Sequence, residues 1–489
     1  MLNKAIKNTI TYFWIALAVL ILVSLAGGFI WAYGAFGLPP FDIYVIFIIL
    51  FCAAAAAGFY PFAKLARKKR INEKIPFIYP LFILIITRII LLAVSKNIAL
   101  NSDFYTMRNA ALELCAGNLE GLKIQYFYCF PYLLPYVVLQ SLLYKLFGSG
   151  LLAVQIFNII CTAAAAGLIY LIALKIIKGR VPAIFAALIY ICLPSNALFT
   201  AVPMPEFVYT VFFLLAVYLF INIKSKIAEA PIYKAFLYAL AAGTAVWAAN
   251  LFKPFGIILV IAAVIYFLIG INKNNAKKTA VFIAVLPLTL LLLSSLQDFA
   301  AKKILGGESA KNSYSWSLFV GSNYAEKGVW NERDAIEYNR ALSEYETLGG
   351  ANSKMLERAK NRLKENGLIN NIKLWVLKAG ILHGADLAAV SYLEGMSPEA
   401  GAFTGFIIPA EIYYMLIIVL SCGLSLLRIF KKRKTPEGLF IIYLCLLGFT
   451  VLHMIAETQA KYHFALAPLF CILAVYEIVS LMGAAKPSC

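Results

Sequence analysis

Several ionisable side chains stand at the edges of long apolar stretches. Asp103 follows one stretch in NSDFYTMRNAALELCAGN, Glu206 precedes another after LPSNALFTAVPMP, and Lys253 lies between two in NLFKPFG. A carboxylate in such a position can accept the proton of a hydroxyl as a general base, and lysines can stabilise a phosphate that leaves. The pattern therefore predicts group-transfer chemistry at the ends of the apolar elements. The full set of candidates is Asp103, Arg108, Glu206, Lys253, Glu457, Lys461, Tyr462 and His463.

The two leading carboxylates each have a structural alternative. Ser102 and Asp103 are both good N-caps for a helix that begins near Tyr105. Glu206 could be a solvated loop end, or a first-turn carboxylate that the helix dipole favours. From the residues alone, a structural and a chemical role fit equally well.

The basic side chains have structural alternatives too. Lys253 and Lys461 are typical of interface residues whose apolar stems lie along lipid. His453 and His463 are more typical of hydrogen-bonded core histidines than of metal ligands. Arg88 is the most conspicuous charge inside an apolar stretch, and we expect it to face a bundle interior. Few other ionisable residues interrupt the apolar stretches, so the residues at their edges are the main indication of function.

The elements that carry these residues are predicted to be transmembrane helices. Of 489 residues, 62% are hydrophobic and 14% are charged, and the mean hydropathy is +0.83. A bilayer core requires about 20 apolar residues per helix. We therefore expect an all-α polytopic membrane protein, a helical bundle of about 12–13 spans. The predicted spans are 12–33, 43–63, 76–95, 151–176, 181–200, 207–223, 233–252, 254–271, 278–296, 404–429, 438–456 and 464–484, with a further apolar stretch at 131–147.

Basic loops predict the orientation. Two lysines precede the first apolar stretch and no small-residue cleavage site follows it, so we expect a retained first helix. Clusters of lysine and arginine at 64–74 and 431–434 mark the cytoplasmic side, which places residues 96–130 and 297–402 outside. The net charge of +19 lies largely in such loops and favours contact with membrane lipids. A nucleic-acid partner is not expected, since no basic surface carries interleaved aromatic residues.

The stretch 131–147 does not fit this orientation as a simple span. The charge rule leaves an odd number of crossings between residues 131 and 176, where two apolar segments stand. Either the first segment lies in the interface or re-enters, or the basic loop that follows the second breaks the rule. Two prolines and the short length of the first segment favour the interface or re-entrant arrangement.

The pattern divides the chain into four regions. Within the third, amphipathic patterns indicate helices near 332–348 and 352–366, and the segment 372–392 suits a helix that lies at the membrane surface. The chain has no internal repeat, which weakens a transporter interpretation. The regions are 1–75 with two transmembrane helices and a basic cytoplasmic loop, 76–296 with a membrane module and the external loop 96–130, 297–402 as a small external α-helical insertion, and 403–489 with C-terminal transmembrane helices.

A series of segments follows in a fixed order along the chain. They are a span with Arg88, then SDFYTMRNAALELCAGN and FPYLLPYVVLQSLLYKLFGSG, Pro194 and Glu206 before a span, NLFKP, GSNYAEKGVWNERD, and ETQAKYHFALAPLF. Taken in this order, these segments resemble GT-C membrane glycosyltransferases, particularly the protein O-mannosyltransferase-like bacterial branch. The resemblance covers most of the chain from about residue 76. Two departures are the two spans that precede it and the single Asp103 where some relatives have an Asp-Glu pair.

The resemblance implies a GT-C-like bundle that transfers a sugar, with inversion, from a polyprenyl-phosphate donor at the extracytoplasmic side of the plasma membrane. It implies Asp103 as the general base and the other candidates as donor or acceptor contacts. The acceptor, whether glycan, lipid or protein, stays open. No cofactor is certain, and a divalent cation would require Glu206 and His463 to meet. The alternatives are a transporter or flippase of a lipid-linked saccharide, with ionisable residues near the bilayer midplane, and a noncatalytic scaffold that tolerates loss of Asp103.

Overall fold

The computed structural model describes residues 2–36, 76–95, 98–306, 314–345, 347–399 and 401–482. In these parts the chain forms helices joined by turns, without a β-strand, which confirms the all-α class. The helices are α1 (Leu2–Phe36), α2 (Ile78–Val94), α3 (Ser102–Cys115), α4 (Gln125–Cys129), α5 (Leu134–Phe147), α6 (Leu151–Ile177), α7 (Arg180–Ile191), α8 (Pro194–Phe199), α9 (Glu206–Lys224), α10 (Ile232–Phe252), α11 (Gly256–Leu268), α12 (Ala276–Leu305), α13 (Tyr314–Gly321), α14 (Glu332–Glu344), α15 (Leu348–His383), α16 (Ala388–Glu394), α17 (Ile407–Ile418), α18 (Leu424–Phe430), α19 (Glu437–Ile455) and α20 (Ala467–Leu481).

Seven helices of the described residues are long and apolar enough to cross a membrane, or eight if α15 and α16 form one bent span. The helices α2, α7, α11 and α20 are apolar but shorter. These elements confirm a polytopic protein, although fewer described helices are full-length spans than the 12–13 predicted. The predicted span 43–63 lies outside the described residues. The seven are Asn3–Leu25 in α1, α6, α9, α10, α12, Thr404–Phe430 and α19.

The stretch 181–200, predicted as one span, is two helices. The first, α7, ends at Ile191, and Pro194 in the first turn of α8 has no N–H that could continue the helical ladder. Arg88 donates to the carbonyl oxygen of Ile191 at 3.1 Å and to Asn196 Oδ1 at 2.6 Å. Arg88 is fully buried, as expected for a charge that faces the bundle interior. It therefore satisfies polar groups at a broken helix.

The stretch 131–147 forms a short turn followed by α5. This helix has 14 residues, which corresponds to a length of about 21 Å. That length is less than the bilayer core of about 30 Å, and α5 is not among the candidate spans of the described chain. The geometry favours the interface or re-entrant arrangement.

The insertion begins later than predicted and has a small core of its own. The preceding helix, predicted to end at residue 296, continues to Leu305. Asp334 accepts a hydrogen bond from Arg362 at 2.7 Å and further ones from two asparagine side chains. These contacts hold α13, α14 and α15 together. The buried residues of this core include Trp316, Phe319, Tyr338, Ala351 and Met355.

The second half of α15 differs from the predicted surface helix. The chain changes direction at Gly367, where φ is 69° and ψ is 174°. Beyond this kink Lys378 and His383 are fully buried, and α15 packs against α1 and α19. A 70° bend then separates α15 from α16. The turn at this bend, residues 384–387, lies beside the candidate site described below.

Ion pairs define one end of the bundle. Glu437 at the start of α19 lies 3.5 Å from Lys7 and 3.5 Å from Lys224, which ends α9. The opposite ends of α9 and α19 therefore lie together at the other end of the bundle. That is where Glu206 begins α9 and Glu457 follows α19.

The spans contain more ionisable residues than expected from the sequence. Arg428 and Glu477 are both fully buried, and their side chains form an ion pair at 2.7 Å. Glu411 is also fully buried. Glu411 and Glu477 each stand singly within an apolar run, and Arg428 lies just before the basic cluster 431–434, so only the packing shows that the three are enclosed.

Candidate active site

Segments that are far apart in sequence meet around one cavity of about 700 Å³. The first turn of α3, the start of α9, the end of α10 and the loop after α19 line its inner side, and α13 and α14 of the insertion line its outer side. The cavity lies at the bundle end opposite to Glu437. Six of the predicted candidates line it together with His453: these six are Asp103, Glu206, Lys253, Glu457, Lys461 and Tyr462.

Asp103 lies in the first turn of α3, which begins at Ser102 rather than near Tyr105. The N-cap of this helix is Asn101, so Asp103 does not have the capping position that was its alternative role. Its Oδ1 accepts a hydrogen bond from the Tyr126 hydroxyl at 2.8 Å. Burial, together with the charge of Asp103, raises the pKa of Tyr126, so the phenol keeps its proton and orients the carboxylate.

The backbone just before Asp103 is strained. Ser102 has φ of +50°, in the left-handed region that residues with a Cβ seldom adopt. Such strain persists only where surrounding contacts impose it, and it is common at functional sites. Here it sets the direction in which α3 begins and therefore where Asp103 lies.

Glu206 and Lys253 form an ion pair inside the cavity. Lys253 Nζ lies 2.7 Å from Glu206 Oε1, and the side chains are 14% and 9% exposed. Pro205 immediately precedes Glu206 at the start of α9, and α10 ends at Phe252 just before an extended Lys253. Because α9 and α10 pack side by side, these two termini bring the charges together.

Lys461 has no carboxylate ion-pair partner among the residues that the structure describes. Its Nζ donates to the Tyr392 hydroxyl at 3.2 Å and lies 5.1 Å from the centre of that ring and 6.0 Å from that of Tyr462. Burial alone would lower the pKa of Lys461, but interactions with Tyr392, Asp103 and Glu206 raise it. Lys461 is therefore a protonated lysine available to an anionic ligand.

Glu457 anchors the loop that follows α19. Its Oε1 accepts from Gln459 Nε2 at 2.6 Å, and its backbone N–H donates to the carbonyl oxygen of Ser317 at 2.7 Å. The next N–H, of Thr458, donates to Gly328 O at 3.1 Å. Burial raises the pKa of Glu457. These bonds fasten the loop to the insertion and close one side of the cavity.

The outer wall of the cavity is aromatic and carries no formal charge. It contains Tyr314 and Trp330, which are 46% and 56% exposed, with Trp316, Tyr338 and Asn339. The carboxylates and lysines that line the cavity all come from outside the insertion. One half of the cavity thus carries the charged side chains, and the other half is neutral.

Two predicted residues lie outside the cavity lining. Arg108 points toward the end of α5 and donates to the carbonyl oxygen of Ser149 at 3.2 Å. His463 is buried behind the cavity wall and contacts Leu382 and Asp386 at 2.8 Å and 2.9 Å. Neither position allows direct contact with a ligand in the cavity, so we leave both out of the proposed site.

The sequence did not indicate several residues of the site. Tyr126, Tyr392, Gln459 and Trp330 line the cavity but are not among the residues predicted from the sequence. The signal in the sequence is the density of aromatic residues near the polar segments, which does not show which ring meets which carboxylate. Among the described residues, no group of three or more His, Cys, Asp or Glu side chains could hold a metal ion.

The fold and cavity define a helical membrane protein with a charged cavity at one end of its bundle. Within it, residues 131–296 match the model of a family described as dolichyl-phosphate-mannose-protein mannosyltransferase. This match confirms, for that segment, the resemblance to a family of membrane glycosyltransferases. No curated protein matches the chain.

Three solved structures show distant similarity. The oligosaccharyltransferase AglB from Archaeoglobus fulgidus, in complex with an inhibitory peptide and a dolichol-phosphate, has 15% identity and a TM-score of 0.42 over 81% of this chain and 50% of that chain. The apo form of the Archaeoglobus fulgidus oligosaccharyltransferase has 15% identity and a TM-score of 0.44 over 84% and 53%. ArnT from Cupriavidus metallidurans, bound to undecaprenyl phosphate, has 12% identity and a TM-score of 0.32 over 83% and 78%. The chain spans about half the length of the two archaeal chains.

Proposed function

We propose that the protein is a membrane glycosyltransferase that moves a sugar from a polyprenyl-phosphate donor to an acceptor hydroxyl, with inversion at the anomeric carbon. The observation that supports this most directly is the cavity in which Asp103 meets Lys253 and Lys461 from separate segments. A carboxylate beside two lysines is the combination that transfer from a phosphate leaving group requires. The match of residues 131–296 to a mannosyltransferase family agrees with it.

In the proposed reaction Asp103 is the general base. The acceptor oxygen attacks the anomeric carbon and gives its proton to Asp103, while the bond between that carbon and the phosphate oxygen breaks. The polyprenyl phosphate leaves with the electron pair of the broken bond. A single displacement inverts the configuration of the sugar. Tyr126, which donates to Asp103 at 2.8 Å, holds the free carboxylate oxygen toward the acceptor.

The lysines would bind the phosphate as its charge grows. Lys461 meets no carboxylate within ion-pair distance in the described residues, so its charge is available to the donor. Lys253 is already paired with Glu206, and a phosphate that approaches it would compete with that carboxylate. We therefore assign the main phosphate contact to Lys461, with Lys253 as the second.

The neutral outer wall would receive the acceptor. Aromatic rings such as Trp330 can stack on sugar faces, and equally on other flat or apolar groups, so the wall leaves the acceptor as a glycan, lipid or protein. The end of the bundle opposite to the cavity carries Lys7, Lys224 and the basic loop at 431–434, and the positive-inside rule places that end in the cytoplasm. The cavity would then face the extracytoplasmic side of the plasma membrane.

Asp103→Asn tests the assignment of the base. The variant keeps the shape and the contact with Tyr126 but cannot accept a proton, so transfer should fall by about 10²- to 10⁴-fold. Membranes that contain the protein and native envelope acceptors would be supplied with a panel of radiolabelled polyprenyl-phosphate hexoses and pentoses. Transfer at the wild-type rate by a folded Asp103→Asn protein would disprove the role of Asp103.

Glu113→Gln is the matched control. Glu113 lies on the same helix, is exposed, and accepts from the Asn118 side chain at 2.6 Å outside the cavity. This variant removes one negative charge from α3 and should leave transfer unchanged. An equal loss in both variants would indicate a general effect on α3 rather than loss of a base.

A further inference from the structure

We propose that Asp386 and His463 form a positioning pair that holds Lys461 in the cavity, an inference that rests on the proposed function of Lys461 as a phosphate ligand. Neither member of the pair lines the cavity. Asp386 Oδ1 lies 2.9 Å from His463 Nε2, and both side chains are 3% exposed. The pair therefore acts from behind the wall that carries Lys461.

The pair joins the two segments that present Lys461. His463 lies in the short helical turn Ala460–Ala465, two residues after Lys461. Asp386 lies in the turn at the 70° bend, two residues before α16, which carries Tyr392. On the cavity side of the same junction, Lys461 donates to the Tyr392 hydroxyl at 3.2 Å. The two segments are thus joined at two points, one inside the cavity and one behind it.

The protonation of His463 follows from its partners. The carbonyl oxygen of Leu382, 2.8 Å from Nδ1, can only accept, so Nδ1 carries a hydrogen. The contact between Nε2 and Asp386 then contains one proton, either on an imidazolium beside a carboxylate or on a carboxylic acid beside a neutral ring. In both cases the pair has no net charge, which allows it to be buried. Its role is therefore to fix geometry, because it places no net charge behind the cavity.

Further contacts keep each member of the pair in place. The backbone N–H of Asp386 donates to Glu411 Oε1 at 2.7 Å. The ring of His463 stacks on Tyr414 with centroids 4.6 Å apart. A lysine on a flexible stem loses entropy when it binds an anion. A fixed turn after Lys461 and a fixed segment that carries its partner Tyr392 reduce the disorder that binding must remove. Loss of the pair should therefore weaken phosphate binding only by disturbing Lys461, and it should have no effect on binding when Lys461 is already absent.

The test measures the Kd of polyprenyl phosphate, without sugar or acceptor, for variants in lipid nanodiscs. Lys461→Met should raise this Kd by about 10- to 150-fold. Asp386→Ala should raise it by about tenfold or more, but by no more than Lys461→Met does. Asp386→Asn should bind nearly as well as the wild type, because its amide can donate to Nε2 of the neutral ring. In Lys461→Met/Asp386→Ala, the second change should add almost nothing to the first.

His463→Phe is a second probe that keeps a ring on Tyr414 but loses both hydrogen bonds, and it should act like Asp386→Ala. Glu477→Ala is the matched control, since it breaks an equally buried ion pair at the other end of the bundle and should leave the Kd unchanged. Additive losses in the double variant, or equal losses in the control, would overturn the pair's role. The same conclusion would follow if both pair variants failed to fold while Glu477→Ala folded. An unchanged Kd for Lys461→Met would instead refute the proposed phosphate contact.

Discussion

Glu206 and Lys253 compensate each other inside the cavity, so removal of either changes the charge that an anionic ligand meets. Their charged atoms lie 2.7 Å apart, and both side chains are largely buried. A buried ion pair that loses one member leaves the other charge uncompensated. We predict that Lys253→Met weakens the binding of polyprenyl phosphate, that Glu206→Gln strengthens it, and that the second change largely rescues the first.

The magnitude follows from Coulomb's law for a phosphate that contacts Lys253, whose Nζ lies 2.7 Å from Glu206 Oε1. A phosphate about 6 Å from Glu206 would be repelled by about 3 kcal/mol at an effective dielectric constant of about 20, which corresponds to about 100-fold in Kd. Lys253→Met exposes this repulsion and also loses its own contact with the phosphate, worth about 1.5–3 kcal/mol. The double variant removes the repulsion and should bind about 100-fold better than Lys253→Met. Glu206→Gln alone should bind more tightly than wild type and release the lipid phosphate product more slowly, which lowers kcat.

A double-mutant cycle measures this coupling directly. The Kd of polyprenyl phosphate would be determined in nanodiscs for the wild type, both single variants and the double variant. Glu113→Gln, which removes an exposed charge outside the cavity, controls for a change in overall charge. If the double variant binds as weakly as Lys253→Met, or if Glu206→Gln weakens binding, Glu206 does not oppose the phosphate and the assignment of this pair is wrong.

Two further predictions concern the outer wall and the loop after α19. Trp330→Ala should raise the KM for the acceptor by about 2- to 10-fold without changing the Kd of polyprenyl phosphate. Trp330→Phe should retain most of the affinity for the acceptor. If Trp330→Ala weakens the binding of polyprenyl phosphate instead, Trp330 lies on the donor side. Gly321→Ala should destabilise the protein by about 1–3 kcal/mol and reduce transfer, because a Cβ there would lie 2.5 Å from the Ala456 carbonyl carbon and 2.8 Å from the Glu457 nitrogen. Gly349→Ala is the control in thermal unfolding, because a Cβ at Gly349 would meet only a hydroxyl at 3.9 Å. Equal destabilisation by Gly321→Ala and Gly349→Ala would contradict the packing argument.

The general position of the site could be predicted because hydropathy identifies where helices end. Glu206 stands at the start of α9 and Lys253 just after α10, and neighbouring antiparallel helices bring such ends to one side of the membrane. Asp103 and Lys461 follow from the same alternation. The sequence therefore indicated most of the charged half of the cavity, without any distance between its members.

The neutral half could not be predicted, because it depends on how the insertion folds over the bundle. Trp330 lies just before α14, which the ion pair between Asp334 and Arg362 joins to α15, and no local pattern indicates this long-range contact. His463 shows a second limit, since it stands only two residues from Lys461. In a turn of about three residues per rotation, side chains two positions apart face different directions, so one enters the cavity and the other packs behind it.

The buried charges of the spans bear on the transporter alternative, which requires ionisable groups along a path through the membrane. In the described part of the chain three of these groups make local contacts that hold helices together. Arg88 binds a broken helix end, Lys378 donates to the carbonyl oxygens of Gly321 and Ile455, and Arg428 pairs with Glu477. Each of these three charges therefore has a structural role at a helix end or a helix contact. The charged side chains that line the cavity are gathered at one end of the bundle, as transfer at a membrane surface requires.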